Sequence, residues 1–169
     1  MQRLRTGASS AERSGVVWHT QGSGKSLTMV FLARMLRASS DLNDYKIVLV
    51  NDRQDLEEQL GETATLIGAR VHVIETRNAL RRQLSSDSSD VNMVMVHKFQ
   101  ERKEALTNTV AEALGTYLAI PAAQTFGVVN PSDRIILMVD EAHRTQGSDL
   151  GDNLFEAFPN ATRIAFTGT

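Results

Sequence analysis

Six short apolar runs punctuate the chain: Gly15-Val16-Val17-Trp18, Ile47–Val50, Val71-His72-Val73-Ile74, Val91–Val96, Ile135–Val139 and Ile164-Ala165-Phe166. Ile47–Val50 and Ile135–Val139 are continuously apolar rather than alternating, the pattern of strands covered on both faces. Longer stretches between the runs have helical spacing. Lys25–Arg37 is apolar nearly all round, through Leu27, Met29, Val30, Phe31, Leu32, Met35 and Leu36, which predicts a helix buried against a sheet. Asp52–Glu62 has Asn51 or Asp52 as a cap and Leu56 and Leu60 four apart. Arg102–Leu118 sets Leu106, Val110, Leu114 and Leu118 along one face. Ser85–Asp90 is a polar turn, and Pro121–Asp133, with Pro121, Gly127, Asn130 and Pro131, is a long connection. Strands alternating with helices predict an α/β domain, doubly wound, its mostly parallel sheet carrying helices on both faces. Residues 1–14 read as a polar tail or severed linker ahead of a domain spanning 15–169.

Composition narrows the class. The 169 residues suit one domain, and 41% hydrophobic with 22% charged residues is a globular balance. Eighteen basic and 20 acidic residues give a net charge of -2, which argues against nucleic-acid binding by bulk charge. The first 85 residues hold 12 basic and 9 acidic side chains, the remainder 6 and 11. With no cysteine there is no disulfide and no thiolate metal site. The four histidines, His19, His72, His97 and His143, are scattered rather than spaced for zinc. No apolar run reaches the roughly 18 residues of a membrane span, and the N-terminus lacks a secretory apolar core. A soluble cytoplasmic protein without a membrane partner is expected.

The sharpest motif is His19-Thr20-Gln21-Gly22-Ser23-Gly24-Lys25-Ser26. It follows a predicted strand and opens a predicted helix, as a phosphate-binding loop must. Gly22 and Gly24 let the backbone turn with its N–H groups inward. Those groups and the helix N-terminus form an anion site, lined by Thr20, Gln21, Gly22, Ser23, Gly24, Lys25, Ser26 and Leu27. Lys25 can reach the β- and γ-phosphates of a nucleotide held there, and the Ser26 hydroxyl can ligate Mg²⁺. The strict pattern has glycine where this chain has His19.

The second motif ends a strand. Arg134-Ile135-Ile136-Leu137-Met138-Val139 runs into Asp140-Glu141-Ala142-His143. An aspartate at a strand's carboxyl end can hold the Mg²⁺ water shell, and the neighbouring glutamate can orient and deprotonate an attacking water. The two motifs together predict an ATP site with Mg²⁺, its candidate catalytic residues Lys25, Asp140, Glu141 and His143, its metal ligands Ser26 and Asp140. His143 is the candidate sensor of nucleotide state.

These blocks resemble a superfamily 2 helicase motor of the Asp-Glu-Ala-His kind and, more closely, the restriction subunit of type I restriction–modification enzymes. Val16–Ser26 is similar to that family's first motif, His19 included. Val48–Leu56 followed by Gln59 is similar to motif Ia, with Asn51 where threonine is expected. Val96-His97-Lys98-Phe99-Gln100 resembles the motif Ib region, Asp140–Gln146 motif II, and Ala165-Phe166-Thr167-Gly168-Thr169 the start of motif III.

The resemblance implies a P-loop NTPase fold, the first of two RecA-like lobes of an ATP-driven translocase on double-stranded DNA. The full subunit would carry a nuclease domain and assemble with specificity and methyltransferase subunits. Arg53 and Lys98, with Phe99, would lie where translocases track the phosphate backbone. Thr167, Gly168 and Thr169 would couple hydrolysis to lobe closure. The chain then reads as a fragment cut within motif III. The second lobe would supply an arginine whose loss costs about 10³–10⁵ in rate, so the fragment alone should be nearly inactive. Another superfamily 2 motor lobe and a non-catalytic nucleotide-binding remnant remain open as alternatives.

Overall fold

All six apolar runs form strands in the computed structural model, which describes residues 1–20, 24–51, 71–95, 127–140 and 149–168. They are β1 (Gly15–Trp18), β2 (Lys46–Asn51), β3 (Val71–Ile74), β4 (Val91–Met95), β5 (Ile135–Asp140) and β6 (Thr162–Thr167). The described helices are α1 (Gln2–Thr6), α2 (Ser10–Arg13), α3 (Lys25–Ala38), α4 (Arg77–Leu84) and α5 (Asp149–Ala157). The predicted helices Asp52–Glu62 and Arg102–Leu118 lie outside the described residues.

The strands form one sheet in the order β1-β6-β5-β2-β4-β3. Every pairing is parallel. The two continuously apolar runs occupy the centre, and every residue of β2 and β5 is buried. Helices cover both faces. On one, α1 and α3 pack Leu4, Met29, Val30, Ala33 and Leu36 against Ile47, Leu49, Ile136, Met138 and Phe166. On the other, Leu80 and Leu84 of α4 and Leu154 and Ala157 of α5 meet Val48, Val50, Leu137 and Val139. Full burial of such side chains contributes about 1.5–3 kcal/mol each.

Lys46 opens β2 yet is buried. Its ammonium donates to the Gln83 carbonyl at 2.7 Å and to Ser86 Oγ at 3.1 Å. It thereby satisfies a carbonyl of the last turn of α4, and burial pushes its pKa down.

Two expectations need correction. Residues 1–14 are not a free tail. Ser9 caps α2 by accepting from the Glu12 N–H at 3.2 Å, and Glu12 Oε2 accepts from the Ala8 N–H at 2.8 Å. Leu4 is buried in the α3-side core. Arg13 Nε donates to Thr162 Oγ1 at 3.2 Å, and Ser14 Oγ accepts from the Arg163 N–H at 2.9 Å. Helices of four and five residues are too short for periodicity to reveal, so the segment read as merely polar. The second correction concerns α3, which is not buried all round. Leu27, Phe31 and Met35, spaced four apart, form an exposed stripe, while Met29, Val30, Ala33 and Leu36 face the sheet.

Candidate nucleotide site

In a parallel α/β sheet, ligands gather at the carboxyl ends of the strands. Three adjacent strands, β1, β6 and β5, end here in the predicted loop, in Thr167 and in Asp140. The ends of β1 and β6 are tied, since the His19 N–H donates to the Thr167 carbonyl at 2.8 Å. Trp18 pairs with Thr167 in register, and Asp140 pairs with Phe166.

The α3 helix starts at Lys25, immediately after Gly24, which takes φ 88° and ψ 29°. That left-handed conformation turns the chain from loop into helix without a side-chain cap. The Gly24 carbonyl accepts both the Thr28 N–H at 3.0 Å and the Thr28 hydroxyl at 3.1 Å. First-turn N–H groups have no acceptor within their own helix, and the helix dipole is positive there. A Cβ on Gly24 would touch nothing within 4 Å, so substitution costs backbone strain alone. Gly24→Ala is expected to lower stability by about 1–2 kcal/mol, read as a fall of about 2–8 °C in the thermal midpoint.

Strand alternation aims Asp140. Ile136 and Met138 belong to the α3-side cluster, so Asp140, two residues on, faces α3 as well. Its carboxylate meets the first residue of that helix, with Lys25 Nζ 3.3 Å from Asp140 Oδ1. The two side chains are only 10% and 6% exposed. A cation and an anion 115 residues apart in sequence thus share a buried site at the first residue of α3. Ser26 follows Lys25 in the first turn of α3. Hydroxyl and carboxylate oxygens are the donors Mg²⁺ prefers, so the residues present fit that ion.

A residue not assigned to the site by sequence stands beside this pair. Asn51 ends β2 and is 1% exposed. In the β2–β5 register Val50 pairs with Val139, so one step further brings Asn51 level with Asp140. Ile47 and Leu49 face α3, and Asn51 does too, its Nδ2 lying 4.0 Å from Met93 Sδ. The available signal was a lone polar residue closing an otherwise apolar run.

The structure therefore brings together Gly24, Lys25, Ser26 and Asp140, with Thr20, Thr167 and Gly168 at the neighbouring strand ends; Leu27 lies on the exposed stripe of α3. Gln21, Gly22, Ser23, Arg53, Lys98, Phe99, Glu141, His143 and Thr169 lie outside the described residues. Among the described residues no helix is long and apolar enough to cross a membrane.

A family model described as SWI2/SNF2 ATPase matches residues 1–169. Among curated proteins the chain is 34% identical over 174 residues to the type I restriction enzyme HindI endonuclease subunit of Haemophilus influenzae, covering 93% of this chain and 15% of the relative. It is 29% identical to the putative type I restriction enzyme MjaIXP endonuclease subunit of Methanocaldococcus jannaschii, over 93% of this chain and 13% of the relative. It is 30% identical to the SsaAORF53P endonuclease subunit of Staphylococcus saprophyticus, over 96% and 16%. The chain thus spans about one-sixth or less of the length of these relatives. Among solved structures, the Sulfolobus solfataricus SWI2/SNF2 ATPase core in complex with dsDNA superimposes with a TM-score of 0.58 at 14% identity. That match covers 92% of this chain and 28% of the other; it speaks to the fold.

Proposed function

The chain belongs to the SWI2/SNF2 ATPase family, and on that footing we propose that it is the ATP-hydrolysing lobe of the DNA-translocating restriction subunit of a type I restriction enzyme. The chain would form the first RecA-like lobe, residues 1–14 packed onto it, working in the cytoplasm on double-stranded DNA beside specificity and methyltransferase subunits. The names of the relatives support the restriction system. The observation that carries the ATPase reading is the buried approach of Lys25 to Asp140.

Each residue then has a task. The turn at Gly24 and the α3 N-terminus receive phosphate oxygens. Lys25 leaves Asp140 for the β- and γ-phosphates, which frees the carboxylate. Ser26 and Asp140 would hold Mg²⁺, which when bound supplies positive charge to the phosphate oxygens. Glu141 takes the proton of the attacking water, and His143 senses the nucleotide. The hydrogen bond from His19 to the Thr167 carbonyl links the phosphate-loop strand to the Thr167–Thr169 segment, a route by which hydrolysis reaches lobe closure. Arg53 and Lys98 contact the DNA backbone.

Trp18, the only tryptophan, is exposed at the end of β1, two residues before Thr20. Its fluorescence is therefore a reporter of nucleotide binding. Titration with ATP and MgCl₂ is expected to give a saturable change. Lys25→Ala should weaken binding by ~10-fold or more, since a hydrogen bond to a charged partner contributes about 1.5–3 kcal/mol. Equal affinity in the two proteins would overturn the reading.

A further inference from the structure

We propose that Asn51 is a positioning residue of the nucleotide site, holding the Asp140 carboxylate in place once Lys25 has left it for the phosphates. The proposal rests on the reading of the site as one for Mg²⁺ and ATP. It begins from an oddity of β2, whose preceding core, Ile47 to Val50, is wholly apolar. A primary amide buried to 1% exposure at the end of that run is costly unless its donors and acceptors are used. Its Nδ2 lies 4.0 Å from Met93 Sδ, on the α3 side of the sheet. A leucine would fill such a place without the desolvation cost.

The position explains the amide. Asn51 and Asp140 end neighbouring parallel strands, level in register and on the α3 face of the sheet. Asp140 is itself buried, and its cation is Lys25. When that ammonium swings to a phosphate, the carboxylate must keep its orientation in a site that excludes water. A charged neighbour would compete with Lys25 or repel the carboxylate. A neutral N–H donor does neither: it is placed to support the carboxylate once the cations have been exchanged. Orientation of a metal-binding carboxylate by hydrogen bonds from outside the coordination sphere commonly changes metal affinity by about 10–100-fold.

The test compares Asn51→Leu and Asn51→Thr with the unmodified chain. Leucine removes the donor while keeping the branching and the number of side-chain heavy atoms, at a larger volume that the thermal ramp monitors; threonine keeps a donor. Trp18 fluorescence gives the MgCl₂ concentration for half-maximal ATP binding, the affinity for ATP in EDTA, and, from a thermal ramp without ligand, the folded stability. Asn51→Leu is expected to raise the half-saturating MgCl₂ about fivefold or more while leaving the affinity in EDTA within about twofold. Asn51→Thr should stay within about twofold of the unmodified chain on both. An unchanged MgCl₂ requirement in Asn51→Leu overturns the proposal. So does a loss of affinity that is equal with and without metal, because that would reflect packing alone. Lys25→Ala is run alongside: if it binds as well as the unmodified chain, the nucleotide reading itself has failed, which is a different result from a silent Asn51→Leu.

Discussion

Lys25→Met is expected to destabilise the fold by about 3–5 kcal/mol, the effect of removing one member of a buried ion pair. Methionine keeps the apolar stem of the side chain. What disappears is the ammonium 3.3 Å from Asp140 Oδ1, at a place where neither partner is more than 10% exposed. Water screens the remaining carboxylate poorly, so its desolvation is no longer offset by the cation. In a chain of this size that loss lowers the thermal midpoint by roughly 6–20 °C. Asp140→Leu alone should also destabilise, because it removes the buried carboxylate that faces the lysine. The double variant Lys25→Met, Asp140→Leu should regain most of the loss, since an apolar pair tends to replace a buried ion pair without net cost. Urea unfolding of the four proteins gives the coupling energy directly. All three variants should fail to bind ATP with MgCl₂. Recovery of stability without recovery of binding would show that the pair is kept for its chemistry. If Lys25→Met unfolds within about 0.5 kcal/mol of the unmodified chain, the pair is not desolvated as described.

The contrast between Lys25 and Asn51 shows how far sequence reading reaches. Lys25 and Asp140 were legible as candidates because the pattern that marks them is local: a glycine turn before a helix and an acidic pair after an apolar strand each fall within a few adjacent residues. The strands were legible for a similar reason, since Ile47–Val50 and Ile135–Val139 have no polar face to offer. Asn51 was not legible as part of the site, because its significance lies in register. Only the parallel pairing of β2 with β5, Val50 against Val139, places it level with Asp140. The order β1-β6-β5-β2-β4-β3 is likewise set by long-range packing that no short window contains. Local pattern also misled where burial is decided by neighbours. Leu27, Phe31 and Met35 looked like core residues but lie on the side of α3 away from the sheet. Leu4 sat in a polar stretch yet joins the core. The helix α5 was missed although Leu154 and Phe158 stand four apart, because nine residues that include Gly151, Asp152 and Asn153 carry weak helix propensity.

Phe166→Ala is expected to cost about 3–5 kcal/mol, the range for truncating a fully buried aromatic side chain. Phe166 has no exposed surface and sits in β6 between β1 and β5, on the α3 face. It pairs with Asp140 in register and with Val17 on the other side. The cavity left by alanine would therefore open beside Asp140, on the same face of the sheet. Phe158 makes an informative counterpart, because it is as fully buried but belongs to the core on the opposite face. Alanine at either place removes a large part of a typical 5–15 kcal/mol stability, so the milder Phe166→Leu and Phe158→Leu keep both proteins folded for comparison. Each should lose about 1–2 kcal/mol in urea unfolding. Their nucleotide affinities should diverge: Phe158→Leu binds ATP with MgCl₂ within about twofold of the unmodified chain, whereas Phe166→Leu weakens binding about fivefold, because the side chain flanking Asp140 has changed. Equal affinities at equal stability loss would mean that the site does not depend on the packing beside it. A selective loss in Phe166→Leu would tie the aromatic side chain of β6 to the aim of the carboxylate beside it.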